Sequence, residues 1–549
     1  MTSAREKRLL KIFSSVFLLG FLIIVFGSYF SLTEIKPTHG GTFKVGLIGA
    51  PRFINPILSQ TNNSDQDLSS FVFSSLLKND GRGNLVNDLA QEIKIGDNGK
   101  IYEVFLKKAK WHDGKNLTAD DIIFTLNLIL DSEYKSPLRL TWQGVEIEKI
   151  DDYAVRFKLK TAYAPFTQNL TFGILPKHLW ENVSPASFAL HEMNLKAVGS
   201  GPYKFSKLQK DKNGILKFIE FKAFDDYFGG EPYADQIAFY FYSTEEAAAE
   251  AFKKSEIDLL GQVAAKEVEG IKKDKTGTTF FSLSLPRYFA VFFNQSQNKI
   301  LAEKPLRQAL AFATDKKELI NEVLNGQGEE INSPILEGMP GFNDSIKKYE
   351  FNPAKAREIL EANSWVDKDN DGFREKSGQI LEFTLTTVDL ADLSKTAQIL
   401  QRQWSRVGVK ANLDIKEMSK IQTEVVRPRQ YQALIFGEIL TLEPDPFSFW
   451  HSSMKKDPGL NLALYENREA DKLLEEARTE TDRNIRAEKY KKFCELVTED
   501  LPAIFLFSPS WTMVSNNKVE GIDLSSLNSP ADRFSLINHW FLETRRAWK

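Results

Sequence analysis

Residues 111–121 read WHDGKNLTADD, and two signals in that stretch fix the local structure. His112-Asp113-Gly114 is a turn. Thr118 and Asp121 then stand at capping-box spacing, so their side chains can satisfy the free N–H groups that open a helix. The helix runs to about Leu130, with Ile122, Ile123, Leu126 and Ile129 on its inward face. On either side lie alternating stretches, KIYEVFLK at 100–107 and YAVRFKL at 153–159, which read as strands. The unit is therefore strand, turn, helix, strand.

The same texture extends outward. TFKVGLI at 42–48 alternates like a strand, and residues 67–77 carry Leu68, Phe71, Val72 and Leu76 at helical spacing. Residues 199–203, GSGPY, form a tight turn into a strand over 203–208. Further strands are expected over 216–221 and 236–242, followed by a helix over 245–254. Residues 280–294 are an aromatic extended run suited to crossing between two lobes. Helices dominate beyond it, at 305–314, 317–324, 353–363, 395–407, 466–478 and 483–498, interrupted by strands at 381–386 and 431–436. Residues 503–514, AIFLFSPSWTMV, supply a return crossing. Two crossings between compact lobes make a hinge, and a hinge implies closure around something.

The 549 residues are 42% hydrophobic and 26% charged, ordinary globular usage that calls for two or three domains. The 71 basic and 74 acidic residues balance to −3, so no basic field points to nucleic acid. The single cysteine, Cys494, excludes an intramolecular disulfide and reads as a buried core thiol.

Arg5, Lys7, Arg8 and Lys11 precede an uncharged run over residues 12–33. About 20 such residues cross a bilayer as a helix. The basic flank places the N-terminus in the cytoplasm and the bulk of the chain outside. No cysteine lies in this region for lipid attachment, so the expected tether is a single-pass helix over residues 12–32. A cleaved signal peptide is the alternative reading.

Several pieces, in order, resemble the family-5 extracellular solute-binding proteins. They are LVNDLA (85–90), WHDGKNLTADD (111–121), VGSGPY (198–203), DYFGGE (226–231), EID (256–258), RQALAFATD (307–315), NPAKAREIL (352–360) and Asp445-Pro446. Each alone is weak, but the ordered set is specific and spans residues 41 to about 507. The resemblance implies an α/β, two-lobed periplasmic binding protein type II fold with an extra domain, three domains in all, behind one N-terminal transmembrane helix. Residues 1–40 would form the tip, anchor and linker. Domain I would be discontinuous, built from 41–77, 196–290 and 513–549; domain II would be 78–195 and domain III 291–512. It further implies a monomeric capture subunit of an ABC importer that works with separate permease and ATPase subunits and needs no cofactor. Its ligand would be a peptide or similar extended solute in the cleft between domains I and III.

In peptide-binding members, the resemblance implies an aspartate three residues before the Asp/Glu-Pro pair, holding the peptide's amino terminus. Here that position is Thr441 or Leu442, in the segment Gly437-Glu438-Ile439-Leu440-Thr441-Leu442-Glu443-Pro444. Glu438 or Glu443 is the substitute, or else both are solvated loop acids. Gln60, Thr61 and Asn62 fall where family members touch ligand from the first domain. Arg287 and Tyr288 begin the first crossing and reach toward the cleft, with packing as the other role for Tyr288.

Asp367, Asp369 and Asp371 open like a calcium loop, but position 12 of that loop is Gly378 rather than a bidentate glutamate. Such acids also build tight turns unaided. His191-Glu192 lacks the second histidine of a zinc-protease helix, and neither a nucleophile elbow nor a phosphate-binding glycine loop is present. No catalytic residue is therefore expected. A tethered ligand sensor or chaperone-like module is the alternative function, with an extracytoplasmic hydrolase behind it.

Overall fold

The computed structural model describes residues 31–548, together with residues 13, 17–21, 23, 26, 28 and 29. Three sheets organise the chain. The largest has seven strands in the order Thr278–Leu283, Trp511–Asn516, Leu259–Leu260, Thr42–Ile48, Gln236–Tyr242, Leu216–Ala223, Tyr203–Lys210. Thr42–Ile48 is parallel to both its neighbours. Parallel strands need a crossover, and helix Glu245–Lys253 supplies the one that carries the chain from Gln236–Tyr242 past Thr42–Ile48 to Leu259–Leu260. A six-stranded sheet runs Gly328–Glu330, Ala503–Pro509, Arg287–Phe293, Ala433–Ile439, Glu382–Val388, Lys410–Lys416, with helix Ala391–Ser405 as crossover between its last two strands. A four-stranded antiparallel sheet is built from Ala90–Gly96, Ile101–Leu106, Ala154–Leu159 and Val145–Asp151.

The expected helix is present as Ala119–Leu130, with the capping box between Thr118 and Asp121 formed. The Thr118 N–H donates to Asp121 Oδ2 at 2.9 Å, and the second oxygen of Asp121 accepts from the Lys177 N–H. The two sequence turns dock on each other. The Gly199 N–H donates to His112 Nδ1, so the proton sits on Nε2, which donates to the Gly201 carbonyl at 3.0 Å. Burial pushes the His112 imidazole down to about 4, so it stays neutral. A side chain on Gly199 would stand 2.0 Å from the Val72 carbonyl oxygen, so only glycine fits there.

One expected element is displaced. The helix placed at 67–77 is Asn63–Val72, opened by the Asn62 side chain accepting from Ser64 N–H. It stops at Phe73, which is extended, and Leu77–Asn79 pairs with Leu85–Asn87 as strands. Leu76, between the helix and the strand, is buried all the same.

Two large apolar cores result. One gathers residues between Tyr288 and Phe507. The other gathers residues between Phe43 and Leu259 with Met513–Trp540, and it is continuous beneath both the seven-stranded and four-stranded sheets. The chain passes between them twice. The first passage breaks at residues 284–286, between Thr278–Leu283 and Arg287–Phe293; the second breaks at Ser510, between Ala503–Pro509 and Trp511–Asn516. The two passages pair with each other antiparallel in both sheets. Leu283, Leu285, Trp511 and Leu527 form a small apolar cluster at the break.

Residues 1–12 of the expected tip and anchor, and residues 14–16, 22, 24, 25, 27 and 30, lie outside the described residues. The described residues of 13–32 are helical, and among them Phe13, Phe17, Leu18, Leu19, Phe21, Ile23 and Phe26 are exposed. Among the described residues no helix is long and apolar enough to cross a membrane.

Candidate functional site

A cavity of about 230 Å³ lies at the double crossing. Ser284, Leu285, Pro286 and Ser526 line it from the side of the seven-stranded sheet. Glu329, Asn332, Lys348, Leu442 and Ser508 line it from the other side. A second cavity, about 220 Å³, sits wholly on the first side, between helix Asn63–Val72, Asp88, Tyr227 and residues 528–535, with Gln60 at its rim. Asp88 is buried there beside Lys78 Nζ at 3.5 Å; burial raises its pKa and the ammonium opposes that rise.

Next to the crossing, strand Ala433–Ile439 has two unlike edges. One edge pairs with Arg287–Phe293 along its whole length. The other pairs with Glu382–Val388 only at Ala433 and Leu434. Past Leu434 the ladder ends: the Ile435 carbonyl still accepts from Thr387 Oγ1 at 3.2 Å, and residues 436–439 have no partner strand on that second edge among the described residues. Unpaired strand N–H and C=O groups are a template for another extended chain. At the end of the strand Ile439 is 75% exposed, while Gly437 lies flat against the Phe289 ring, where a Cβ would stand 2.8 Å from it. The chain then turns toward the other lobe, and Leu442 N–H donates to Asn528 Oδ1 at 3.1 Å. Thr441 Oγ1 donates to the Glu443 carbonyl, closing the turn.

The acids of this segment are all engaged, so none is a solvated loop acid. Glu438 is 1% exposed and accepts from the Tyr288 hydroxyl. Its Oε1 is buried without a partner, and burial pushes the carboxyl up to about 8. Glu443 is clamped by Arg483 at 2.8 Å and Arg486 at 2.7 Å. Asp445 pairs with Arg478 at 3.1 Å, and that guanidinium stacks over Phe447 and Tyr163. Tyr163 comes from the four-stranded lobe, so this cluster ties the two halves together.

Tyr288 is fully buried and packs beneath the strand with its hydroxyl on Glu438. Arg287 is half-buried and its Nε has no partner; burial lowers its pKa. Its carbonyl accepts from Ser508 Oγ at 2.7 Å, which fixes its backbone at the crossing. Gln60 donates to the Pro56 carbonyl, Thr61 is exposed, and Asn62 caps its helix. The structure thus brings Arg287, Tyr288, Gly437 and Glu438 together on two paired strands. Leu442 is on the crossing cavity and Gln60 on the other, while Thr61 and Asn62 line neither. Asn528, Ser526, Arg483 and Arg486 had no local sequence signal; they arrive from 40 or more residues away in chain.

The acidic turn closes on itself. Asp367 accepts from Gly372 N–H, Asp369 from Asp371 N–H, Asp371 from Phe373 N–H, and Glu375 from Lys368 N–H. The carboxylates that converge within 4.8 Å are Asp367, Asp369 and Glu375, not Asp371.

The sequence profile described as "Bacterial extracellular solute-binding proteins, family 5 Middle" matches residues 84–461. The oligopeptide-binding protein AppA of Bacillus subtilis is 33% identical over 496 residues, 88% of this chain and 89% of that one. A dipeptide-binding protein of Escherichia coli is 25% identical, covering 83% of this chain and 87% of its own length. Among solved structures, B. subtilis AppA in complex with a nonapeptide superposes with a TM-score of 0.68 at 32% identity, over 92% of this chain and 100% of that one. The substrate-binding protein CtaP of Listeria monocytogenes superposes at 0.77 with 26% identity, with the same coverage. A profile covering more than half the chain, a relative at one-third identity and the same fold of paired sheets with a double crossing agree: this chain belongs to the family-5 bacterial extracellular solute-binding proteins.

Proposed function

We propose that this protein is the capture subunit of an ABC importer and that it takes a peptide, in extended form, between its lobes. The observation that carries this reading is the free edge of strand Ala433–Ile439 over residues 436–439, beside the double crossing. A peptide backbone added there gains main-chain hydrogen bonds without commitment to side-chain identity. Arg287, Gly437, Thr441 and Leu442 border it, and Gln60, Thr61 and Asn62 approach from the opposite lobe on closure. Glu438 and Glu443 are already paired inside the protein, so neither holds the peptide's amino terminus. The names of the relatives, oligopeptide- and dipeptide-binding, support the ligand class.

The lobes move about residues 284–286 and Ser510. Domain I comprises 41–77, 196–290 and 513–549, domain II 78–195 and domain III 291–512. The uncharged run of residues 12–32 tethers the chain to the membrane with its bulk outside. One such run cannot form a channel, so transport requires separate permease and ATPase subunits.

Full-length protein in detergent, screened by thermal shift and native mass spectrometry against peptides of two to nine residues, tests the reading. A melting-temperature rise and a matching mass increment with at least one peptide pool are expected. No shift with any peptide, together with a clear shift with a sugar or a metal chelate, overturns it.

A further inference from the structure

The strand Glu543–Trp548 does not join any of the three main sheets. It pairs antiparallel with Thr33–Thr38, immediately after the uncharged run, in an unbroken register from Thr33 opposite Trp548 to Thr38 opposite Glu543. This register puts the two ends of the ribbon in different chemistry. Glu543 lies at the far end, against Gly40. Arg545, Arg546 and Trp548 lie at the near end, next to the apolar run.

Alternation places Thr33, Ile35, Arg546 and Trp548 on one face of the ribbon. Ile35 is 62% exposed and Trp548 67%. Trp548 meets Tyr29 of the apolar run edge-to-face, with ring centroids 6.2 Å apart. Arg546 donates to Thr33 Oγ1 at 3.0 Å, which holds the strand to the base of the run. Trp548 is set apart from the other eight tryptophans, which are all buried. A large aromatic left in water costs free energy that an interfacial position recovers, since indole and phenol rings favour the headgroup level of a bilayer. Arginine beside them matches lipid phosphate.

We propose that the Thr33–Thr38/Glu543–Trp548 ribbon is a membrane-interface foot, with Trp548 and Tyr29 at headgroup depth and Arg546 on a phospholipid phosphate. The occupant of this face is the surface of the bilayer that holds residues 12–32, and the proposal rests on that tethering. The foot fixes the end of the seven-stranded lobe at the membrane, so that the other lobe is the one free to swing. The ribbon also makes residues 33–38 part of the fold, directly behind the run.

The test uses the full chain in phosphatidylcholine nanodiscs, with and without brominated lipid, and its Trp548→Phe variant. Brominated lipid quenches only indoles at the bilayer, so quenching of the native protein is expected, falling by at least half in Trp548→Phe. An Arg546→Glu variant is expected to show weaker quenching with unchanged emission in detergent. Alkaline carbonate extraction of the native chain from vesicles separates the two readings: release refutes the tether. Retention combined with equal quenching in native and Trp548→Phe proteins refutes the foot while leaving the tether intact.

Discussion

Replacing Glu438 by glutamine should flatten the dependence of stability on pH. Glu438 is 1% exposed in the core of the six-stranded lobe, and burial pushes its pKa to about 8, against 4.5 for the free side chain. Below pH 4.5 both folded and unfolded chains carry the proton, and the contribution to stability is full. Between pH 4.5 and 8 the unfolded chain releases the proton and the folded chain keeps it, so stability falls as pH rises. The slope is about 1.4 kcal/mol per pH unit, or about 4 kcal/mol from pH 5 to pH 8. The amide introduced by Glu438→Gln has no proton to release, and its carbonyl oxygen can still accept from the Tyr288 hydroxyl. For a cooperative unit of this lobe's size, each kcal/mol moves the melting temperature by about 2–4 °C. Thermal unfolding of native and Glu438→Gln proteins at pH 5, 6, 7 and 8 should therefore diverge by about 10 °C, the native protein losing more toward pH 8. Comparing the two proteins cancels the titration of every other group. Parallel profiles would refute the reasoning, because they would mean that the buried carboxyl is already ionised at pH 5.

Gly199→Ala forces a methyl to within 2.0 Å of the Val72 carbonyl and should cost about 1–3 kcal/mol in urea unfolding; Gly96→Ala, 3.8 Å from its nearest neighbour, should be tolerated. Arg533→Met strands Asp67, its buried partner at 2.6 Å, and should cost about 3–5 kcal/mol. The Asp67→Leu/Arg533→Met pair should cost less than the single change, and additive losses in a double-mutant cycle would contradict the pairing. Removing calcium with EGTA should leave the melting temperature unchanged, since the carboxylates of residues 367–375 already accept backbone N–H groups; a rise with added calcium that Asp369→Ala abolishes would show that an ion binds there.

Short-range features were legible in the chain alone. The Thr118/Asp121 capping box, the glycines of 199–201 and the alternation over 42–48, 100–107 and 153–159 each depend on neighbours within a few residues, and each forms as its spacing dictates. So do the two extended apolar crossings, although each is broken into two strands by a short turn. The helix expected over 67–77 lies earlier, at Asn63–Val72: Leu68, Phe71 and Val72 are on it as their spacing dictates, Leu76 falls beyond its end, and Asn62, a cap outside the apolar run, sets its start.

Family membership was also carried by sequence, because the ordered turns and caps survive as local motifs. The fate of the site's charges was not. Glu438 and Glu443 look alike in the sequence, each an acid among apolar residues. Tertiary structure sends one into the core against Tyr288, 150 positions away, and the other onto Arg483 and Arg486. The free edge over residues 436–439 exists only because the ladder between Glu382–Val388 and its neighbour ends after two pairs. The sequence determined which segments become strands, helices and turns, since hydrogen bonds along the chain and apolar periodicity act locally. The packed fold alone decided which charges are neutralised and which strand edge stays open, since desolvation and pairing depend on groups that meet only when the lobes assemble.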